Sequence, residues 1–250
     1  MSMPLRVLIT GGAGYVGRML VERCLRDSRV DQVCVIDTSA CPDNLESKNL
    51  LWIRANLADT NWQGKAAAFT PQVVIHTAFR IRQAYGSKFI EQERSNIQGS
   101  KNIFDFCFQQ PVKKLIYFSS VSAYGAFRTN SLSYRFNEED PLRETRFAYG
   151  AHKRFVEDQL RVLWLQEKKK AERAGSVSSL PQVIVVRPAS ISGPRTQEGK
   201  GRSGLLGMLG HSFPVIFVAR PDLVRQFVHE DDIEDATVFL ALDSVPGEYE

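Results

Sequence analysis

Five short runs, LRVLI from residue 5, QVCVI from 32, QVVIH from 72, KLIYF from 114 and QVIVV from 182, carry apolar side chains at nearly every position. A strand that is apolar on both faces has to be covered on both. The stretches between them, GRMLVERCLRD, NIQGSKNIFDFCFQQ and AYGAHKRFVEDQLRVLWLQEKKKAER, space their apolar residues as helices do. Strands alternating with helices in this way predict the α/β class, a doubly wound parallel sheet with right-handed crossovers. Polar, breaker-rich segments fall where such a sheet needs loops: CPDNLESKN, RTNSLSYRFNEEDP, GSVSSLP and GPRTQEGKGRSG. From about Ser192 the alternation weakens. We expect residues 1–191 to form the main domain and 192–250 a small C-terminal lobe, partial and interleaved with the sheet.

Composition narrows the function classes. With 43% apolar and 24% charged residues among 250, the chain is an ordinary globular one. No apolar run approaches a membrane span, and MSMPLRVLITGG enters a strand without a leader pattern, so a cytoplasmic protein with no membrane partner is expected. Four cysteines lack C-x-x-C spacing and do not meet the histidines, which argues against a disulfide framework and against a metal site. The net charge of +4 favours an anionic small ligand, and the arginines form no aromatic-laced stripe for nucleic acid. EKKKAER reads as a solvated helix end, where cations meet the negative dipole.

After the first apolar run comes TGGAGYVG, with Gly11, Gly14 and Gly17 spaced G-x-x-G-x-x-G ahead of an amphipathic helix. Such bare backbone lets a pyrophosphate approach the N–H groups at the helix start. Asp37 ends the second strand 20 positions after Gly17. There a carboxylate can accept bonds from the adenosine ribose and repel a 2′-phosphate, which selects NAD over NADP. Asn56 and Leu57, after the third strand, are placed to edge the adenine, and Ala78, after the fourth, to lie near pyrophosphate and ribose. His76 reads as a hydrogen-bonded core residue rather than a base or metal ligand.

A second constellation lies further on. YGAHK opens a long helix and puts Tyr149 and Lys153 on one face. A phenol of ordinary pKa about 10 needs a neighbouring positive charge to act near neutrality. Lys153 supplies one. YFSSVSAYG ends a strand in hydroxyls, placing Ser120 where it can donate to a substrate oxygen.

Taken in order, TGGAGYVG, the acid after the second strand, HTAF, NIQGSKN, SSVSAYG, YGAHK, RPASISGPR and RQFVHEDDIEDA resemble the extended short-chain dehydrogenase/reductases of the NAD-dependent epimerase/dehydratase family, over essentially the whole chain. The resemblance implies a Rossmann fold, NAD as cofactor, and an anionic sugar or sugar nucleotide as substrate. It makes Tyr149 the acid/base, Lys153 the modulator of the tyrosine and a ribose ligand, and Ser120 the carbonyl-polarising donor. It adds Tyr15, Val16, Asn96 and Pro188 to the cofactor contacts, and Ser122 and Arg225 to the substrate contacts.

Departures from the family pattern carry information too. Val121 and Ser122 follow Ser120 where dehydratases place an acidic pair, which disfavours elimination, and Ala189, Ser190, Ile191 and Ser192 replace an Asn or Tyr of many epimerases. Family members continue past the equivalent of Glu250, so a truncated chain or a reduced lobe is expected. Helices near 89–110 and 146–170, with Phe104, Phe108, Leu160 and Trp164, correspond to the helices that often pair in this family's homodimers; core packing is the other reading of those residues. An epimerase or oxidoreductase of sugar nucleotides is therefore expected. The alternatives are a dehydrogenase of a non-nucleotide alcohol and a non-catalytic nucleotide-sensing regulator.

Overall fold

The computed structural model describes residues 4–81, 86–131, 133–197 and 226–243. The main sheet contains β1 (Leu5–Thr10), β2 (Val30–Asp37), β3 (Leu50–Arg54), β4 (Val73–His76), β5 (Lys114–Phe118) and β6 (Gln182–Val186). All pairs are parallel, in the order β3-β2-β1-β4-β5-β6. The order reverses between β1 and β4, and such sheets bind ligands at the carboxyl ends beside that reversal.

Each apolar run divides its side chains between two layers. In β1, Leu8 joins the cluster under α2 (Gln63–Phe69), α3 (Ser87–Gln109) and α4 (Ala148–Ala174), with Trp62, Phe104, Tyr117 and Leu160. Val7 and Ile9 point the other way, into the cluster under α1 (Tyr15–Arg26), with Met19, Leu20, Val35 and Ile116. Burial on both faces is what made these strands readable as near-continuous apolar runs.

Beyond β6 the chain forms β7 (Ser190–Ser192), which pairs in parallel with β8 (Phe227–His229) as a separate two-stranded sheet. Helix α5 (Glu230–Leu242) follows directly and packs on α1, with Ile233 and Ala241 in the same cluster as Val7 and Ile9. Its end is fixed by Lys114 Nζ, which donates to the Leu240 and Asp243 carbonyls, and by an Arg29–Asp243 ion pair at 3.0 Å. Most of GPRTQEGKGRSG, and the final VPGEYE, lie outside the described residues. Phe104 and Leu160 are buried within this fold, and Phe108 and Trp164 pack against the same core. The apolar side chains left exposed on α4 are instead Phe155, Val162 and Leu165.

Among the described residues no helix is long and apolar enough to cross a membrane. All four cysteines are free, and three of them are buried.

Candidate active site

The turn after β1 is tight because its glycines touch backbone. Gly11 has φ of +76°, a conformation L side chains rarely adopt, and an added Cβ would lie 2.7 Å from Ala78 Cα. At Gly17 the Cβ would meet Gly11 O at 2.1 Å. Gly12, which sequence reasoning passed over, is equally constrained, since a Cβ there would sit 2.5 Å from Val35 Cγ1. Gly14 begins α1 without any side-chain cap, so the first-turn N–H groups of Tyr15 and Val16 meet no capping side chain.

This turn lines one wall of a cleft of about 310 Å³ at the carboxyl edge of the sheet, with Asp37, Asn56, Ala78, Phe79 and Asn96 around it. Asp37 anchors the turn while facing the cleft: one carboxylate oxygen accepts Ala13 N at 3.0 Å and the other Ser39 N at 2.8 Å. Four lone-pair sites on a carboxylate leave capacity for ribose hydroxyls. Asn56 Oδ1 accepts from Ala58 N and Ser95 Oγ, and the Leu57 carbonyl accepts from Asn102. Buried Asn96 bonds both the N–H and the carbonyl of Arg80 at 2.8 and 3.1 Å, which fixes the path leaving β4. A glycine-lined cradle that a Cβ would fill, an uncapped helix start and an acid across from them fit a dinucleotide.

The hydroxyls lie at the end of β5. Ser120 caps a short 3₁₀ turn, Val121–Tyr124, accepting Ser122 N at 3.1 Å, and its hydroxyl acts on Tyr149 in the first turn of α4. Burial pushes the Tyr149 phenol up, and the neighbouring Ser120 hydroxyl opposes that. Lys153, one turn on, is 3% exposed and donates to the Phe118 carbonyl. Its ammonium lies 3.8 Å from the Phe79 ring centre and 5.9 Å from that of Tyr149. Burial brings its pKa down to about 7, while the Glu157 charge pulls it back up. The positive charge expected from the sequence is therefore held in balance near neutrality by its surroundings.

The remaining expected residues occupy varied positions. The Pro188 carbonyl accepts Val121 N at 3.2 Å, joining β6 to the turn that carries Ser120. Tyr15 turns its hydroxyl away from the cleft to Glu230 at the start of α5. Arg225 lies outside the described residues. His76 bonds Thr10 Oγ1 at 2.7 Å and Ser100 Oγ at 2.9 Å, and burial first, then the Lys153 charge, lower its pKa to about 3.

Three groups escaped sequence reasoning. Glu157 is buried one turn beyond Lys153 and is paired with Arg187, whose guanidinium also donates to Tyr124 Oη and the Glu138 carbonyl. The spacing Y-x-x-x-K-x-x-x-E was the available signal. Arg195 meets Glu230, Asp231 and Glu234 together, and Gly193 makes room, since its Cβ would lie 2.2 Å from Glu230 Cδ. Glu144 is buried before α4 and accepts three backbone N–H bonds.

Known proteins resemble the chain in sequence and in fold. The sequence pattern of the NAD dependent epimerase/dehydratase family matches residues 7–249. The dTDP-D-glucose 4,6-dehydratase of Bos taurus is 23% identical over 99% of this chain and 67% of its own length, so the chain spans about two thirds of that relative. Human 3 beta-hydroxysteroid dehydrogenase type 7 is 28% identical over 74% of this chain and 50% of its own. The UDP-glucose 4-epimerase of Thermus thermophilus, crystallised in complex with NAD, superposes with a TM-score of 0.74 at 25% identity, covering 98% of this chain and 76% of that one. With nearly its whole length inside the family pattern and a Rossmann sheet carrying the glycine cleft, the chain belongs to the NAD dependent epimerase/dehydratase family, the extended short-chain dehydrogenase/reductases whose cofactor is NAD.

Proposed function

We propose that this protein oxidises a carbinol of a sugar nucleotide and returns it with inverted configuration, using Ser120, Tyr149 and Lys153. The observation that carries this reading is the placement of Ser120 at the carboxyl end of β5 beside the first turn of α4, where Tyr149 sits with the Lys153 ammonium 5.9 Å from its ring centre. Gly11, Gly14 and Gly17, with the first-turn amides of Tyr15 and Val16, would hold the pyrophosphate of NAD. Asp37 would take the adenosine ribose, Asn56 and Leu57 the adenine, Ala78 would lie near the pyrophosphate and ribose, Asn96 would complete the cofactor contacts from α3, and Pro188 would neighbour the nicotinamide. Bound there, NAD supplies a hydride acceptor for the carbinol carbon.

The chain's own groups manage the proton and the oxygen. Tyr149 Oη takes the hydroxyl proton while Ser120 Oγ donates to the oxygen as it becomes a carbonyl. Lys153 in its protonated form stabilises the phenolate and donates to ribose hydroxyls. Ser122 and Arg225 would contact the substrate, and the arginines of 128–147 suit its anionic part. Val121 and Ser122 offer no acid–base pair for elimination, which favours epimerisation over dehydration. Oxidation of a non-nucleotide alcohol is the second reading, supported by the likeness to the steroid dehydrogenase.

We also place the protein in the cytoplasm, where four free thiols remain reduced, and assign it a homodimer through the exposed Phe155, Val162 and Leu165. The functional test is retention of NAD through purification, followed by incubation with sugar nucleotides and simple alcohols. Interconverted sugars with no net NADH support the epimerase; net NADH on one substrate supports the dehydrogenase. Tyr149→Phe that binds NAD and still turns over would overturn both.

A further inference from the structure

We propose that Glu144 is a positioning residue that fixes the separation of Ser120 and Tyr149, an inference that rests on reading those two as the reacting hydroxyls. The two lie on different elements, and the intervening chain from 125 to 147 is mostly loop. Glu144 ties the elements together from that loop. Its backbone N–H and that of Arg143 donate to the Ala123 carbonyl at 3.0 and 3.1 Å, within the turn that Ser120 caps. Its carboxylate reaches forward, where one oxygen accepts the N–H groups of Thr145, Arg146 and Phe147 at 2.8, 2.7 and 3.0 Å. Phe147, the residue at the helix cap, has no side-chain cap of its own, so this carboxylate orders the approach to α4 in its place.

The fit extends to the residue beside Tyr149. A Cβ on Gly150 would lie 2.8 Å from Glu144 Cγ and 2.5 Å from Ser122 O. The first turn of α4 therefore abuts both the Glu144 side chain and the turn whose Ser122 N–H bonds Ser120 Oγ. Glu144 is 5% exposed, and burying a carboxylate is costly unless hydrogen bonds compensate it. Its backbone bonds hold its pKa below the ordinary value despite burial. The arrangement suits a tie whose length matters, because both hydroxyls must reach the same substrate oxygen and about 1 Å of misplacement can cost roughly 100-fold in rate.

The test compares Glu144→Ala, Glu144→Gln and Gly150→Ala, with UDP-glucose as substrate and NAD affinity measured by titration. Gln keeps a carbonyl oxygen able to accept the same three N–H groups. We expect Ala to lower kcat by about 10- to 100-fold with NAD Kd changed by less than about twofold, Gln to restore most of the rate, and Gly150→Ala to reproduce the loss. A second readout needs no turnover: the Tyr149 ring NMR signal, assigned by its disappearance in Tyr149→Phe, should titrate at higher pH in Glu144→Ala and Gly150→Ala, where Ser120 and the phenol are moved apart, but not in Glu144→Gln. Should Glu144→Ala fail to fold, Gly150→Ala decides. An unchanged Tyr149 titration, or full kcat, in folded Gly150→Ala overturns the inference. An active Tyr149→Phe would instead overturn the functional reading on which it rests.

Discussion

Replacing Glu157 by Gln should destabilise the fold and shift the charge of Lys153 at once, because one carboxylate serves both. It is 4% exposed and receives Arg187 Nε at 3.0 Å on one oxygen and 3.2 Å on the other, with a further bond from Nη2. Removing one partner of a buried ion pair costs about 3–5 kcal/mol. The amide keeps one acceptor oxygen and the Arg187 side chain is 16% exposed, so the cost falls to the bottom of that range or just below it, about 2–3 kcal/mol. For a chain of this length that is a fall in Tm of roughly 4–12 °C. The same change removes the charge that holds Lys153 up against burial, so its pKa should fall below its value of about 7 and the ammonium be largely lost at neutral pH. Thermal unfolding of Glu157→Gln, Arg187→Gln and the double variant, with the pH dependence of turnover, checks both effects. Additive single losses would refute the pairing, and an unmoved pH profile would refute the link to Lys153.

Acid and base stability should follow two buried groups with lowered pKa values. His76, at about 3 in place of 6.5, is neutral when folded, so its share of stability falls as pH drops from 6.5 towards 3; urea unfolding of His76→Gln should show a flatter acid limb. Lys153 binds its proton less tightly folded than unfolded, so its contribution rises as pH climbs from about 7 to 10.5, and Lys153→Met should remove that rise. Gly17→Ala forces a Cβ to within 2.1 Å of Gly11 O, and should weaken NAD binding at least tenfold while lowering Tm; an unchanged Kd by titration would contradict the cradle. Val162→Glu places a charge on the exposed stripe of α4 and should sediment as monomer at micromolar concentrations where the parent is dimeric; a monomeric parent would refute the dimer.

What could be read from the sequence followed local pattern. In β1, β2 and β5 consecutive residues fill opposite layers, so the runs announced themselves. β7 and β8 are three residues each, SIS and FVH, too short to show a period, and α5 begins Glu-Asp-Asp, which resembles a surface loop although its later residues enter the core. The Tyr149–Lys153 pair was legible because both lie on one helix. Phe79 over Lys153, Arg187 on Glu157 and Arg195 on Glu230 join residues 74, 30 and 35 positions apart, and only the fold brings them together. Glu144 was hidden differently: its carboxylate bonds its immediate neighbours, but a charged residue in a polar loop gives no sign that it will be buried.

The Arg195 cluster has a consequence for how such a chain can change. Residues 194–197 lead out of the Rossmann layer, and Glu230, Asp231 and Glu234 begin the helix that returns to it, so the departure and the return are clasped at one point. Doubling the length of a chain segment held together at both ends adds only about 0.6 kcal/mol of closure cost. A change of chain length beyond that clasp therefore costs the fold little, and the sheet, the glycine cradle and the two hydroxyls, all on its near side, keep their register.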